Sequence, residues 1–336
     1  MRAFVVGPGI VGSEVCRELL GATDVDELTV GTRCSRPIGR LSSLGGRISY
    51  RLAGRVDIPA GADVVVIAQP YGVLNLARRA LDAGAHVVAA VDHPDHVRAL
   101  LRLDGAARAA GRTIAVGTTM APGLSCVLAR YASRRLDRVS EIHVASFGTG
   151  GPACARRHHA ALRSIAHEWR RGEWRWHAGG SGRELVWFPE PVAGADCYRA
   201  GLADPLLLVP AFPGVEWVTA RLQATRRDRL TSPLPMLRPP HPQGLVGAVR
   251  VQVSGWVGGA VEAVIVGSQG RPGRLAGVVA ATAARWAASG RLARVGAGGL
   301  AELVREPGPF LRDVAEAGVP ISVFEGLGPG EVGAGV

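Results

Sequence analysis

The sequence predicts an α/β protein. A doubly wound parallel sheet is interrupted by an inserted, mainly antiparallel α+β region, and a late helix returns to the first sheet. Three observations carry this. The chain opens on an apolar strand, a glycine turn and a helix. Short apolar runs then alternate with helical patterns through Tyr131, as parallel strands joined by crossover helices do. Beyond Ser140 apolar and polar residues alternate singly, which marks half-buried strands.

The opening element is the most specific. Ala3 to Val6 reads as a buried strand, and Val11, Val15 and Leu19 then recur every four residues, as on one helix face. Between them stands Gly7-Pro8-Gly9-Ile10-Val11-Gly12, a G-x-G-x-x-G at a strand-to-helix turn. The first glycine permits the turn, the second lets backbone N–H groups approach a pyrophosphate, and the third lets helix and strand close. The helix dipole then faces the phosphates. This places a dinucleotide on a Rossmann domain, with Gly7 to Gly12 as its cradle.

Glu27 to Gly31 reads as the second strand. An acidic residue near its end would hold a ribose 2′-OH, but here Thr32, Arg33, Ser35 and Arg36 follow. The guanidinium and hydroxyl groups suit a 2′-phosphate, so NADP(H) is expected ahead of NAD(H); solvated loop residues are the plainer alternative. Ala62 to Ala68 is a buried strand, and Gln69, Pro70 and Tyr71 follow it as walls of the cofactor channel. A helix runs through Leu74, Ala77 and Leu81 to Gly84, and Val87 to Val91 is the next strand, ending in Asp92-His-Pro-Asp-His96. Thr113 to Val116 is another strand, and Ala121-Pro-Gly123 leads into a helix. Ser140 to Phe147, Val215 to Ala224, Val246 to Ser254 and Ala260 to Val266 read as half-buried strands, and a helix returns between Gly273 and Gly290. The expected domains are 1–124 with 272–336, and 125–271 as the insertion.

Composition bounds the function. A chain of 336 residues suits two domains. Five scattered cysteines form no C-x-x-C pair, so neither a disulfide framework nor a metal site is expected. The first strand begins at once, which argues against a signal peptide, and no apolar run approaches the ~20 residues of a membrane helix; a cytoplasmic location is the default. The net charge of +11 comes entirely from arginine, spread without a basic tract, so no nucleic-acid partner is expected. The lack of lysine excludes Schiff-base and P-loop chemistry.

Several separated stretches resemble the saccharopine dehydrogenase-like family of NAD(P)-dependent oxidoreductases. They are Val6 to Gly12, Leu81 to Val88 with Asp92-His93, Ala106 to Gly111, and Ala121-Pro-Gly-Leu-Ser125. Gly148-Thr-Gly-Gly-Pro152, Val186 to Val192, Gly296 to Leu300 and Phe310-Leu311 add to it. The resemblance implies a Rossmann domain interrupted by a mixed domain, a homodimer built through that second domain, and a small imine, amino acid or oxo acid as substrate.

Ligands of doubly wound sheets sit beyond the carboxyl ends of the strands. Asp92 and His93 lie there as proton-handling candidates, or merely cap the helix that Pro94 begins. His158 and His159 follow the Gly148 to Gly151 loop; as adjacent helical residues, at most one points inward. Arg156, Arg157 and Arg183 are candidates for a substrate carboxylate, or are surface arginines. The leading expectation is an NADP(H)-dependent oxidoreductase acting on a small C=O or C=N group. A non-catalytic NADP(H)-binding sensor or scaffold is the alternative.

Overall fold

The computed structural model describes residues 1–32, 41, 48–52, 57–236, 239–242 and 244–324. Six parallel strands come first: β1 (Arg2–Val6), β2 (Glu27–Thr32), β3 (Ile48–Leu52), β4 (Val64–Ile67), β5 (His86–Ala89) and β6 (Thr113–Val116). Helices α1 (Ile10–Gly21), α2 (Val73–Asp82), α3 (Pro94–Leu101) and α4 (Asp104–Ala109) lie between them. Phe4, Val5 and Val6 of β1 and all of β4 are buried on both faces, which is why they read as unbroken apolar runs.

The second sheet is built from β7 (Arg138–Phe147), β8 (Ala166–Arg170), β9 (Glu173–His177), β10 (Glu184–Trp187), β11 (Gly194–Arg199), β12 (Trp217–Gln223), β13 (Gly247–Val257) and β14 (Ala260–Gly270). Helices α5 (Leu124–Ser133), α6 (Pro152–Ala161), α7 (Asp204–Leu208) and α8 (Arg226–Thr231) accompany it. The chain then runs through α9 (Pro272–Ala288), β15 (Gly296–Gly299), α10 (Leu300–Leu303), α11 (Pro307–Glu316) and β16 (Ser322–Phe324).

The first sheet has the order β15-β6-β5-β4-β1-β2-β3, parallel throughout. Its winding reverses between β1 and β4, and a ligand crevice opens at such a switch point. The second sheet is mainly antiparallel, along β10-β11-β12-β7-β13-β14-β16, with β8 and β9 attached through β12. The pair β7–β12 is parallel. The predicted class, a doubly wound parallel sheet with a mainly antiparallel second sheet, is the observed one.

Helix α9 packs on α1, β4 and β5 and so returns to the first sheet. The last strand does not follow it. Ser322–Phe324 pair with Gly267, Val266 and Ile265 of β14, so the described residues end at the edge of the second sheet. Strand β3, in a stretch without a clear apolar run, is one that the sequence pattern does not reveal.

Candidate functional site

The glycine turn stands at the switch point. Gly7 has φ +92°, a left-handed backbone that favours glycine. A Cβ on Gly12 would run into the Gly7 carbonyl, whereas one on Gly9 would meet nothing within 4 Å. The turn is thus packed beneath and open above. Among the described residues no side chain caps the N-terminus of α1, and its first turn carries no acidic residue, so its N-terminal N–H groups and dipole suit an anion. This is the cradle that a dinucleotide pyrophosphate needs.

The Gly148 to Gly151 loop brings the second sheet over this turn. A side chain on Gly151 would collide with Ile10, and one on Gly150 would press on Gly273 of α9. Helix α6 therefore starts against both α1 and α9. Between the two halves lies a cavity of about 200 Å³. Val11, Gln69, Pro70, Asp92, His93 and His96 line it from the first sheet, and Thr119, Met120 and Ala121 from the loop after β6. Ser146, Gly150, Ala153, Cys154, Arg157 and His158 line it from the other side, with Pro272 and Ala276 of α9.

Cys154 and His158 are four residues apart on α6 and share a face. The His158 Nε2 lies 3.6 Å from the Cys154 Sγ and 4.0 Å from Asp92 Oδ2. Arg157 donates from Nη2 to the carbonyls of Asp92 (3.3 Å) and Gly201 (2.5 Å), and its Nε lies 3.8 Å from Asp92 Oδ1. Burial pulls the His158 pKa below the usual imidazole value, against the Asp92 charge and with help from Arg157. Burial also lowers that of His93, followed by the Arg157 charge. Both rings therefore favour the neutral form. Burial pushes the Cys154 thiol up to about 12.

His93 is the N-cap of α3: its Nδ1 accepts from the Asp95 N–H at 3.2 Å. Its ring also stacks at 5.2 Å on that of His96. The helix cap and the cleft wall are thus one residue.

The other sequence-predicted residues divide. Gly7, Pro8, Gly9, Ile10, Val11 and Gly12 form the turn, and Gln69 and Pro70 line the cleft. Tyr71 is 69% exposed and does not. Thr32 ends β2 and is buried, while Arg33, Ser35 and Arg36 lie outside the described residues. The structure does not bring His159, Arg156 or Arg183 into the cavity. His159 shares a hydrogen bond with the Leu234 carbonyl at 2.9 Å, on another face of α6, and Arg156 lies beside it. Arg183 pairs with Asp196 at 2.9 Å, beyond β9 and before β10. Helical rotation carries the first two away, and strand placement carries the third. The loop Thr118 to Pro122 lies at the carboxyl edge where ligands are expected, and Thr119 and Met120 line the cavity from it; the sequence does not single out Cys154, His96 or Ser146 as lining residues. The four-residue spacing of Cys154 and His158 was the one signal available.

No family model matches the chain. Solved structures do. Saccharopine dehydrogenase (L-Glu forming) from Saccharomyces cerevisiae is similar over 96% of this chain and 100% of its own, with a TM-score of 0.71 at 14% identity. The chain shares the saccharopine dehydrogenase fold. Homospermidine synthase from Legionella pneumophila, solved with NAD, matches 96% of this chain and 91% of its own, with a TM-score of 0.68 at 14% identity. The C. glutamicum DAP dehydrogenase, solved with DAP, gives 0.52 at 19% identity, covering 94% and 98%.

Proposed function

We propose that the chain is a nicotinamide-dependent oxidoreductase that moves hydride to or from a C=O or C=N carbon of a small amino or oxo acid. One observation carries the reading: Val11 of the glycine turn, Gln69 and Pro70 beyond β4, and Cys154, Arg157 and His158 of α6 line one cavity. Its likeness in fold to two dehydrogenases and a NAD-bound synthase supports it. When bound, the dinucleotide supplies or accepts the hydride.

The chain's own residues do the rest. Backbone N–H groups at Gly7 to Gly12 hold the pyrophosphate, and Gln69 and Pro70 wall the channel. Thr32 ends β2 and Arg33, Ser35 and Arg36 follow it in the sequence, and the charge of the arginines favours NADP(H) over NAD(H). Arg157 is the cation at hand for a substrate carboxylate. The polarising hydrogen bond falls to His93. Its Nδ1 accepts a backbone hydrogen bond, so the neutral ring carries its proton on Nε2 and can donate a hydrogen bond from there to the substrate heteroatom, the transferred proton itself coming from solvent. Asp92 fixes Arg157 and approaches His158.

A panel of oxo acids, with and without amino acids, tests this by NADPH turnover. His93→Ala is expected to lower kcat ~10²-fold or more while NADPH binding is retained. Unchanged turnover in that variant removes His93 from the role. NADPH is expected to raise Tm more than NADH does, and Arg33→Ala to erase the difference; a ligand at 100 times its Kd stabilises by about 2.7 kcal/mol. Binding without turnover on any substrate favours the non-catalytic sensor or scaffold.

The same proposal divides the chain into a cofactor domain of 1–124 with 272–336 and a substrate domain of 125–271, working in the cytoplasm. Among the described residues no helix is long and apolar enough to cross a membrane. It also makes the protein a homodimer through the second sheet, whose β9–β10 side exposes Trp176, Leu185 and Trp187. A monomer in sedimentation at micromolar concentration would overturn that part.

A further inference from the structure

We propose that Asp92, Cys154 and His158 bind a zinc ion, with an open position facing the cavity. The carboxylate, thiol and imidazole each offer one ligand atom, and these atoms lie within 4.8 Å of one another. Zinc lies about 2.3 Å from a thiolate sulfur and about 2.0–2.1 Å from an imidazole nitrogen, and at the tetrahedral angle those lengths separate S from N by about 3.6 Å. The Cys154–His158 distance is 3.6 Å. The corresponding N–O edge is about 3.3 Å; the Asp92 carboxylate stands 4.0 Å from Nε2 and within 4.8 Å of the sulfur, so it closes the site by turning inward.

One further observation points to a ligand. The His158 side chain is only 13% exposed, and among the described residues its Nε2 has only the sulfur at 3.6 Å and a carboxylate at 4.0 Å as partners; a metal bond at Nε2 would replace these weak contacts. A nucleophilic Cys-His-Asp relay is a poorer account. It needs the carboxylate on the ring nitrogen opposite the thiol, and here both approach Nε2. Helix α6 presents Cys154 and His158 from one side at i and i+4, and the loop after β5 presents Asp92 from the other. Three protein ligands with an open fourth position are the pattern of catalytic rather than structural zinc. On binding, the thiol proton leaves to solvent as the metal–sulfur bond forms. If the oxidoreductase reading holds, the open position would take the substrate's carbonyl oxygen or imine nitrogen; the metal site itself does not depend on that reading.

The test uses the untagged full chain, stripped with a chelator and titrated with zinc against a chromophoric competitor, then with Co²⁺ by absorption. We expect one equivalent of zinc, and a thiolate-to-cobalt charge-transfer band. Cys154→Ser should abolish that band, and His158→Gln and Asp92→Asn should each weaken zinc binding by more than the about 10–100-fold that loss of an outer-shell partner costs. His159→Gln, on another face of α6, should bind as the parent does. Circular dichroism separates a folded variant from an unfolded one. No stoichiometric zinc in the folded parent, or undiminished binding in folded Cys154→Ser, overturns the proposal. Zinc binding without NADPH binding would sink the oxidoreductase reading alone, and the converse would sink the metal site alone.

Discussion

Asp204 shows how one residue sets a pH dependence apart from the cleft. It is buried in α7, its Oδ1 accepts from Ser125 at 2.6 Å, and its Oδ2 has no partner. Burial raises its pKa from 3.8 to about 6 despite the Ser125 hydrogen bond. A carboxyl whose folded pKa is raised destabilises the fold when ionised. That cost is full above pH 6 and is relieved as pH falls toward 4. A shift of this size is worth on the order of 3 kcal/mol. Asp204→Asn keeps the acceptor for Ser125 but has no charge to desolvate, and its buried amide NH₂ offsets part of the gain. The variant should melt a few degrees above the parent at pH 8, and the gap should shrink at pH 5. Equal gaps at both pH values in a thermal-shift series would show that the charge is not the cause. Nothing in the sequence marks Asp204: Asp-Pro at a helix start reads as an exposed cap, and its burial comes from packing that local pattern does not encode. His158 is different. Its spacing from Cys154 is visible, but only the fold brings Asp92, more than sixty residues away, to the same point.

At the level of elements, the packing of α9 on α1 is set by a single glycine. A Cβ at Gly277 would collide with the Glu14 Cβ and lie 3.1 Å from its carbonyl carbon. Arg274, one turn earlier, reaches Glu14 at 3.4 Å and also bonds Glu18 and the Ala317 carbonyl. The two helices therefore touch at backbone distance, clamped by a partly exposed ion pair of small worth. Gly277→Leu should push them apart at a cost of about 1–3 kcal/mol or more, as overpacked cores do. Because α1 also carries the glycine cradle, NADPH affinity should fall too. A denaturant midpoint and an NADPH titration read the two effects, and a variant unchanged in both would mean that the helices are not in register here. The α1 and α9 faces were legible from their four-residue periodicity. The parallel β7–β12 pair and the pairing of β16 with β14 were not, since alternation tells which face of a strand is buried but not which strand lies beside it.

Across the whole molecule the two sheets share one core. The buried cluster that contains Val5, Val66 and Val88 of the first sheet also contains Ile142, Val249 and Val251 of the second. Helix α5 is a bridge: Leu124, Ser125, Cys126, Val127, Leu128, Ala129 and Ala132 are buried, against β13 and β14 on one side and α10 and α11 on the other. Arg130 reinforces it, donating to the carbonyls of Ala301 at 2.8 Å and Ala211 at 2.7 Å while stacking on Phe212 at 4.4 Å. A pair of domains joined only by linkers would melt separately. With an apolar core running through both sheets, neither loses its packing without exposing the other. Calorimetry should therefore give one transition, moved as a whole by NADPH, and Leu128→Ala should lower that single transition rather than split it, at a cost of about 2–5 kcal/mol. Two resolved transitions, with the cofactor moving only one, would mean that the shared core does not couple the sheets.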